Sequence, residues 1–333
     1  MKQIITTLIL VITFLSSYSQ IDPIKIEGAA QGTTYHITYY DALNRNLQKE
    51  IEKILYGFDA SVSTYLPNSV ISKINRNKKV KADVYFIHCF NKAKEIWKNT
   101  EGAFDPTVYP LVNAYGFGPG KKEKINTKII DSLLKFVGFD LIELKGKKVV
   151  KKDNRVALDF NAFAQGYSVD VVSDFLLSKG LHSFIVEIGG EVYAYGKKLN
   201  GENWSIGIEQ PIDNSTSGNP LQAIVSLENL AIATSGNYHR YSIENGVKYS
   251  HHIDPKTGYP TKNNLLSASV FSKHCIDSDA NATGILVMGL EKAIEFLKMH
   301  PELEAYLIYS DEKGNYKTYQ TPGIKSIIRL ADK

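Results

Sequence analysis

From Ile24 to Tyr40 apolar and polar residues alternate, with Tyr35, Ile37 and Tyr39 opposed to His36 and Thr38. That period of two predicts a pair of strands broken near Gly28 to Gly32. The period then lengthens. Leu47, Ile51, Ile54, Leu55 and Phe58 predict an amphipathic helix over Asn46 to Phe58, and a second runs from Asp83, a suitable N-cap, to Lys98. A third is expected to start after Asn126-Thr127 and end near Gly138. Val156 to Phe160 reads as a short strand, and Ala164 to Ser178 as a helix that stops at Gly180. Strands are then expected over Phe184 to Ile188, Val192 to Tyr195, Trp204 to Ile208, Ala223 to Leu227 and Tyr238 to Ile243. Ile212 to Pro220, rich in Asn, Ser, Gly and Pro, reads as a surface loop. Leu266 to Ser272 is a strand, Ser278 to Val287 and Leu290 to Met299 are helices, and the last strands fall near Tyr306 and Tyr316. Helices and strands mix without strict alternation, so the expected class is α+β, with mixed sheets and packed helices.

Composition narrows the class without changing it. With 43% hydrophobic and 22% charged residues, the chain is neither disordered nor a coiled coil. A net charge of +4 over 333 residues makes no dedicated nucleic-acid binder. Twenty Tyr and 14 Phe against 2 Trp favour strands. The start of the chain is a separate matter. Behind Met1-Lys2, Ile4 to Leu15 is a nearly continuous apolar run, and Ser17-Tyr18-Ser19 offers small residues to a signal peptidase. Residues 1–19 are therefore expected to be removed after Ser19, leaving residues 20–333 as one exported, periplasmic unit. The run is shorter than the ~20 residues of a membrane-spanning helix. No cysteine follows it, which argues against a lipoprotein. The two cysteines, Cys89 and Cys275, cannot staple a small-domain framework and are expected to be free or inert.

Four segments carry candidate chemistry. In Asp159 to Tyr167 a carboxylate stands where a strand meets a helix start, suited to a cation and an anionic ligand together, or simply to capping the helix. Ile188-Gly189-Gly190-Glu191 permits close approach of a ligand, or is a tight turn. Thr234 to Arg240 and His251 to Gly258 gather hydroxyls, histidine and aspartate. The adjacent His251 and His252, if on a strand, face opposite ways, so that one at most serves a given site. Asp254 to Gly258 reads equally as a capped turn. In Asp277 to Thr283, Asp279 and Thr283 are four apart and share a helical face. A carboxylate and a hydroxyl with no Cys or His between them suit Mg²⁺ better than zinc, although one of Asp277, Ser278 or Asp279 could equally be an N-cap.

In order, these segments resemble the ApbE-type FAD:protein FMN transferases. The likeness runs from Gly32-Thr33-Thr34-Tyr35 through Ser63-Thr64-Tyr65 and Gly102 to Val108. It continues through Gly116-Phe117-Gly118, Asp159 to Asp170, Gly189-Gly190, Thr234-Ser235-Gly236 and His251 to Gly258, then Asp279 to Thr283 and Met288-Gly289. The resemblance implies a two-lobed single unit that moves FMN from FAD onto a Thr or Ser hydroxyl of an acceptor protein, releasing AMP. It implies FAD contacts at Gln31, Tyr65, Ala103, Phe104, Asp105, Asp159, Gln165 and Ile253. Mg²⁺ would be held by the main-chain oxygen of Ala162 and by Asp279 and Thr283. His251 is expected as general base, with Asp254 orienting it. The implied acceptor carries a Ser/Thr flavinylation motif and belongs to a membrane redox complex. Three positions depart from the family's habit: Gln31 for Met, Gln165 for Lys, and Ala282 for an Asp found in some members. The last is expected to remove a metal ligand. The same residues would also serve a Mg²⁺-dependent FAD pyrophosphatase yielding FMN and AMP, or a flavin-binding protein without turnover.

Overall fold

The computed structural model describes residues 21–212, 220–237, 241–244 and 247–331. In chain order the first elements are β1 (Ile24–Ala30), β2 (Thr33–Tyr39), α1 (Gln48–Val62), α2 (Val70–Asn75), α3 (Val84–Asn99), α4 (Tyr109–Ala114) and α5 (Thr127–Leu134). There follow β3 (Ile142–Lys145), β4 (Lys148–Lys151), α6 (Ala164–Ser178), β5 (Phe184–Ile188), β6 (Glu191–Tyr195), β7 (Trp204–Glu209), β8 (Leu221–Leu227) and β9 (Leu230–Gly236). The chain closes with β10 (Tyr241–Glu244), β11 (Val247–Ser250), β12 (Leu265–Ser272), α7 (Cys275–Met288), α8 (Leu290–Met299), β13 (Glu304–Ser310), β14 (Tyr316–Gln320) and β15 (Ile328–Leu330).

Eight strands form the main sheet in the order β1-β2-β5-β6-β9-β12-β13-β14, and β15-β8-β7 form a smaller one. Every pairing among the described strands is antiparallel. The α+β class therefore holds, and the mixing lies in the order of elements along the chain rather than in strand direction. Alternating burial explains the register: Tyr35, Ile37 and Tyr39 are buried, and their partners Ile188, Val186 and Phe184 across β5 are buried with them. The helices α1 and α6 cover that face through Ile51, Leu55, Val169, Val172 and Leu176. On the other face the three-stranded sheet packs Trp204, Val225 and Leu227 against Ile232, Phe271 and Ile308. A second helical layer, built on Phe86, Phe90, Phe104, Phe139, Phe160 and Phe163, extends the core beyond the sheet.

Several boundaries fall where local pattern places them. Helix α6 runs from Ala164 to Ser178 and α8 from Leu290 to Met299, while Asp83 accepts the Phe86 amide at 3.0 Å as the cap of α3. Asn126 caps α5 in the same way, through the Ile129 amide at 3.1 Å. Both cysteines are buried and unpaired. Other expectations fail, among them that α5 would reach Gly138: it ends at Leu134. Val156 to Phe160 forms no strand: the Asn75 side chain bonds both the carbonyl and the amide of Leu158, each at 2.8 Å, in place of a partner strand. Helix α7 starts at Cys275, one turn early, and its cap comes from afar. The Asp170 carboxylate on α6 accepts the amides of Cys275 and Ile276 at 2.7 and 2.9 Å, so none of Asp277, Ser278 or Asp279 is the N-cap. The expected leader at residues 1–19, the tip of the Ile212–Pro220 loop and residues 238–240 lie outside the described residues. Among the described residues no helix is long and apolar enough to cross a membrane.

Candidate active site

One end of the main sheet opens into a cavity of about 420 Å³, within the range of small-molecule sites. Thr33 at the start of β2, Gly189 in the β5–β6 turn and Thr234, Ser235 and Gly236 at the end of β9 form its sheet wall. Gln165, in the first turn of α6, faces Gly189. A Cβ at Gly189 would stand 2.4 Å from Gln165 Nε2 and 2.9 Å from Thr33 Cγ2, and its φ of +67° excludes most side chains, so only glycine fits.

Helices α6 and α7 cross at the inner end. The Asp279 carboxylate accepts the Gly166 amide at 2.9 Å. Burial raises the Asp279 pKa well above the carboxylate range, and the nearby Asp170 adds to the effect. Thr283, one turn further, lies 3.4 Å from the Ala162 carbonyl and 3.3 Å from Ser235 Oγ. The carboxylate, hydroxyl and main-chain oxygen anticipated from sequence therefore all line one pocket. Among the described residues no group of three or more His, Cys, Asp or Glu side chains could hold a metal, so the candidate donors are these few oxygens. Ala282 is different. It is fully buried in the apolar cluster of Leu265, Ile285 and Phe296 on another face of α7, so an alanine there removes no ligand from this cavity.

The outer wall is made by Ala103 to Pro106, Val112, Phe117 and Tyr65. Tyr65 is 53% exposed, and its hydroxyl donates to the Phe117 carbonyl at 3.4 Å, which leaves the ring at the mouth. Asp105 borders the cavity, but its carboxylate serves the scaffold. It accepts the Thr107 amide and hydroxyl at 2.8 and 2.5 Å and the Phe139 amide at 3.1 Å, and burial lifts its pKa to about 6. Asp159 lines the floor and accepts the Asn161 amide at 2.9 Å; burial raises it to about 6 as well. It does not cap α6, whose N-cap is Phe163.

Both histidines line the cavity. They follow the end of β11, where alternation no longer applies, and their ring centroids are 3.9 Å apart. The expectation that only one can serve the site is thus corrected. His251 also packs edge-on to Phe117 at 6.3 Å. Burial, reinforced by His251, lowers the His252 pKa well below that of a free imidazole. Ile253 lines the wall, whereas Asp254 lies outside it and accepts the Lys256 amide at 2.8 Å in its own turn. That geometry gives the orienting role of Asp254 no support. Gln31 also lies off the wall. It sits in the β1–β2 turn at φ +54°, with the Ser168 hydroxyl 3.3 Å from its Oε1. Sequence reasoning gave no role to Asn161, Glu191 or His252, although the Gly-Gly-Glu and His-His pairs marked two of them.

The cleft thus has Tyr65 and Phe117 at its rim, the start of α6 beside it and oxygen donors at its inner end. The chain belongs to the ApbE family, whose model matches residues 31–307. It is 36% identical to the FAD:protein FMN transferase of Haemophilus influenzae, over 94% of this chain and 95% of that one. It is 33% identical to the protein of the same name from Vibrio cholerae, over 92% and 93%. Among solved structures, the flavin transferase ApbE from Vibrio cholerae superposes with a TM-score of 0.83 at 31% identity, covering 92% of this chain and 99% of that one.

Proposed function

We propose that this protein transfers FMN from FAD to a Thr or Ser hydroxyl of an acceptor protein, with Mg²⁺ as cofactor and AMP as the leaving product. The observation that carries this reading is the convergence of Tyr65, His251 and the Ala162–Asp279–Thr283 oxygens on one cavity. The isoalloxazine ring packs near Tyr65 at the mouth, and the pyrophosphate points inward toward the α6 N-terminus. The acceptor oxygen attacks the phosphorus of the FMN half. A new O–P bond forms, the bond from that phosphorus to the bridging oxygen breaks, and the bridging oxygen leaves with AMP. His251 takes the hydroxyl proton, while His252, held neutral by burial, packs on its ring.

The inner oxygens fit a hard divalent cation: all are oxygen donors, and no cation pairs with the buried Asp279 carboxylate among the described residues. Mg²⁺ held there would neutralise charge on the pyrophosphate. Incubation with FAD and Mg²⁺, with and without an acceptor domain, tests the reading by mass and in-gel fluorescence. Flavin covalently on the acceptor supports transfer; free FMN alone would make the protein a pyrophosphatase, and neither product would leave flavin binding.

Tyr65 gives a direct test of the flavin's placement. Tyr65→Ala is expected to weaken FAD binding by about 1–3 kcal/mol, the range of an aromatic stacking platform, and Tyr65→Phe by much less. Equal FAD titrations for wild type and Tyr65→Ala would remove the ring from the site.

We also infer export. The apolar run from Ile4 to Leu15 and the Ser17-Tyr18-Ser19 site imply a mature N-terminus at Gln20, and membrane redox subunits outside the inner membrane are the implied acceptors. Sequencing of the native N-terminus would show Gln20; an intact Met1 or a lipidated residue would refute cleavage.

A further inference from the structure

A second cavity, of about 830 Å³, shares no lining residue with the first. One wall is the extended segment after α2, with Lys78, Lys79 and Lys81; the other is the β3–β4 hairpin, with Lys145, Lys147 and Lys148. The Ala82 amide bonds the Lys147 carbonyl at 2.9 Å and ties the walls together. Between them lie Ile74, Val80 and Val149. At its base Lys151 is half-buried. Its ammonium donates to the Ile74 and Asn75 carbonyls at 2.8 and 3.3 Å and to Asn77 Oδ1 at 3.1 Å, all neutral acceptors, and burial lowers its pKa to about 8. Of the groove lysines, Lys145 alone has a carboxylate partner among the described residues, Glu143 at 3.2 Å. Seven lysines thus line one concavity, and among the described residues one of them is paired with a carboxylate.

The groove and the flavin cleft are joined by α2. The N-cap of that helix is Ser69, four residues beyond Tyr65, and the helix spans about 9 Å before the chain enters the groove. Arg76 at the groove's edge donates to the Pro67 carbonyl, two residues from Tyr65. A polypeptide that threads its hydroxyl into the cleft would cover the length of α2 with about three extended residues. Lysines on both walls of a concavity suit an extended chain better than a flat bilayer, whose headgroups would meet only the rims. Lysine's point charge takes carboxylates without the fork geometry that arginine imposes.

We propose that this lysine groove docks an acidic, extended segment of the acceptor polypeptide, an inference that rests on the protein-flavinylating activity proposed above. The probe is fluorescein-labelled octaglutamate, with octaserine as control, titrated into the full chain by anisotropy. The comparison protein combines Lys78→Glu, Lys79→Glu, Lys147→Glu and Lys148→Glu, all at exposed side chains. Octaglutamate should bind wild type and bind the variant at least ~10-fold more weakly, with the difference shrinking as salt rises. FAD titration and the melting temperature should stay unchanged. Equal octaglutamate binding by both proteins would overturn the groove. So would charge-dependent sedimentation with phosphatidylglycerol vesicles in the absence of octaglutamate binding, which would make the surface a membrane contact. If the peptide distinguishes the two proteins but neither transfers FMN, the flavinylation reading falls, and with it the acceptor as occupant.

Discussion

Gly166→Ala should all but abolish FMN transfer. The added Cβ would stand 2.5 Å from the Cys275 carbonyl oxygen, 2.9 Å from its carbon and 2.7 Å from Asp279 Cβ. Backbone of α7 cannot swing aside as a flexible side chain would, so the two helices must part. Parting them lengthens the Gly166–Asp279 hydrogen bond and shifts the inner oxygens relative to the cavity wall. A displacement near 1 Å at a reacting centre costs about 100-fold in rate, and the overpacking adds about 1–3 kcal/mol of destabilisation. Gly57→Ala is the matched control: Gly57 lies exposed within α1, with nothing within 4 Å of the added methyl. It should raise stability by about 0.5–1 kcal/mol and leave activity alone. Thermal melts and acceptor flavinylation read both variants; wild-type activity in Gly166→Ala would refute the close-contact argument.

The second large effect belongs to Asp279→Ala. Mg²⁺ should raise the melting temperature of the wild type by the linkage of ligand to the folded state, and should leave the variant where it was. In EDTA the variant should melt close to wild type, because losing a desolvated carboxyl group is offset by losing the hydrogen bond it accepts from the buried Gly166 amide. Turnover should vanish. An equal Mg²⁺-induced shift in both proteins would remove Asp279 from the metal site.

What could be read from the sequence was local. Helix α6 announces its end by Gly180, and α3 its start by Asp83, because each carries its own signals. The rest required the tertiary structure. Helix α7 takes its cap from Asp170, more than a hundred residues earlier in the chain, so no scan around Cys275 would find it. Residues Val156 to Phe160 have the composition of a strand, but the Asn75 side chain replaces the neighbour that would make them one. Strand β9 shows the reverse. Its Leu-Ala-Ile-Ala-Thr-Ser-Gly sequence is buried toward both faces and does not alternate, so no period of two marks it as a strand although it lies at the centre of the sheet. Site residues were legible as types in an order. Their division of labour was not: the carboxylates of Asp105 and Asp254 serve turns, and Ala282 serves the core.

The Gly166–Asp279 bond closes a loop of 113 residues, and the Asp170 cap closes one nearly as long. Asp279 and Thr283 share α7 but Ala162 lies before α6, so no contiguous stretch of the chain holds the whole inner site, and no complete site waits for flavin or metal while these elements are apart. Because these contacts bring distant segments together, they belong to the slow, non-local part of folding. A chain still being threaded or refolded is blind to FAD, and binding competence should return with the last cooperative phase of folding rather than ahead of it.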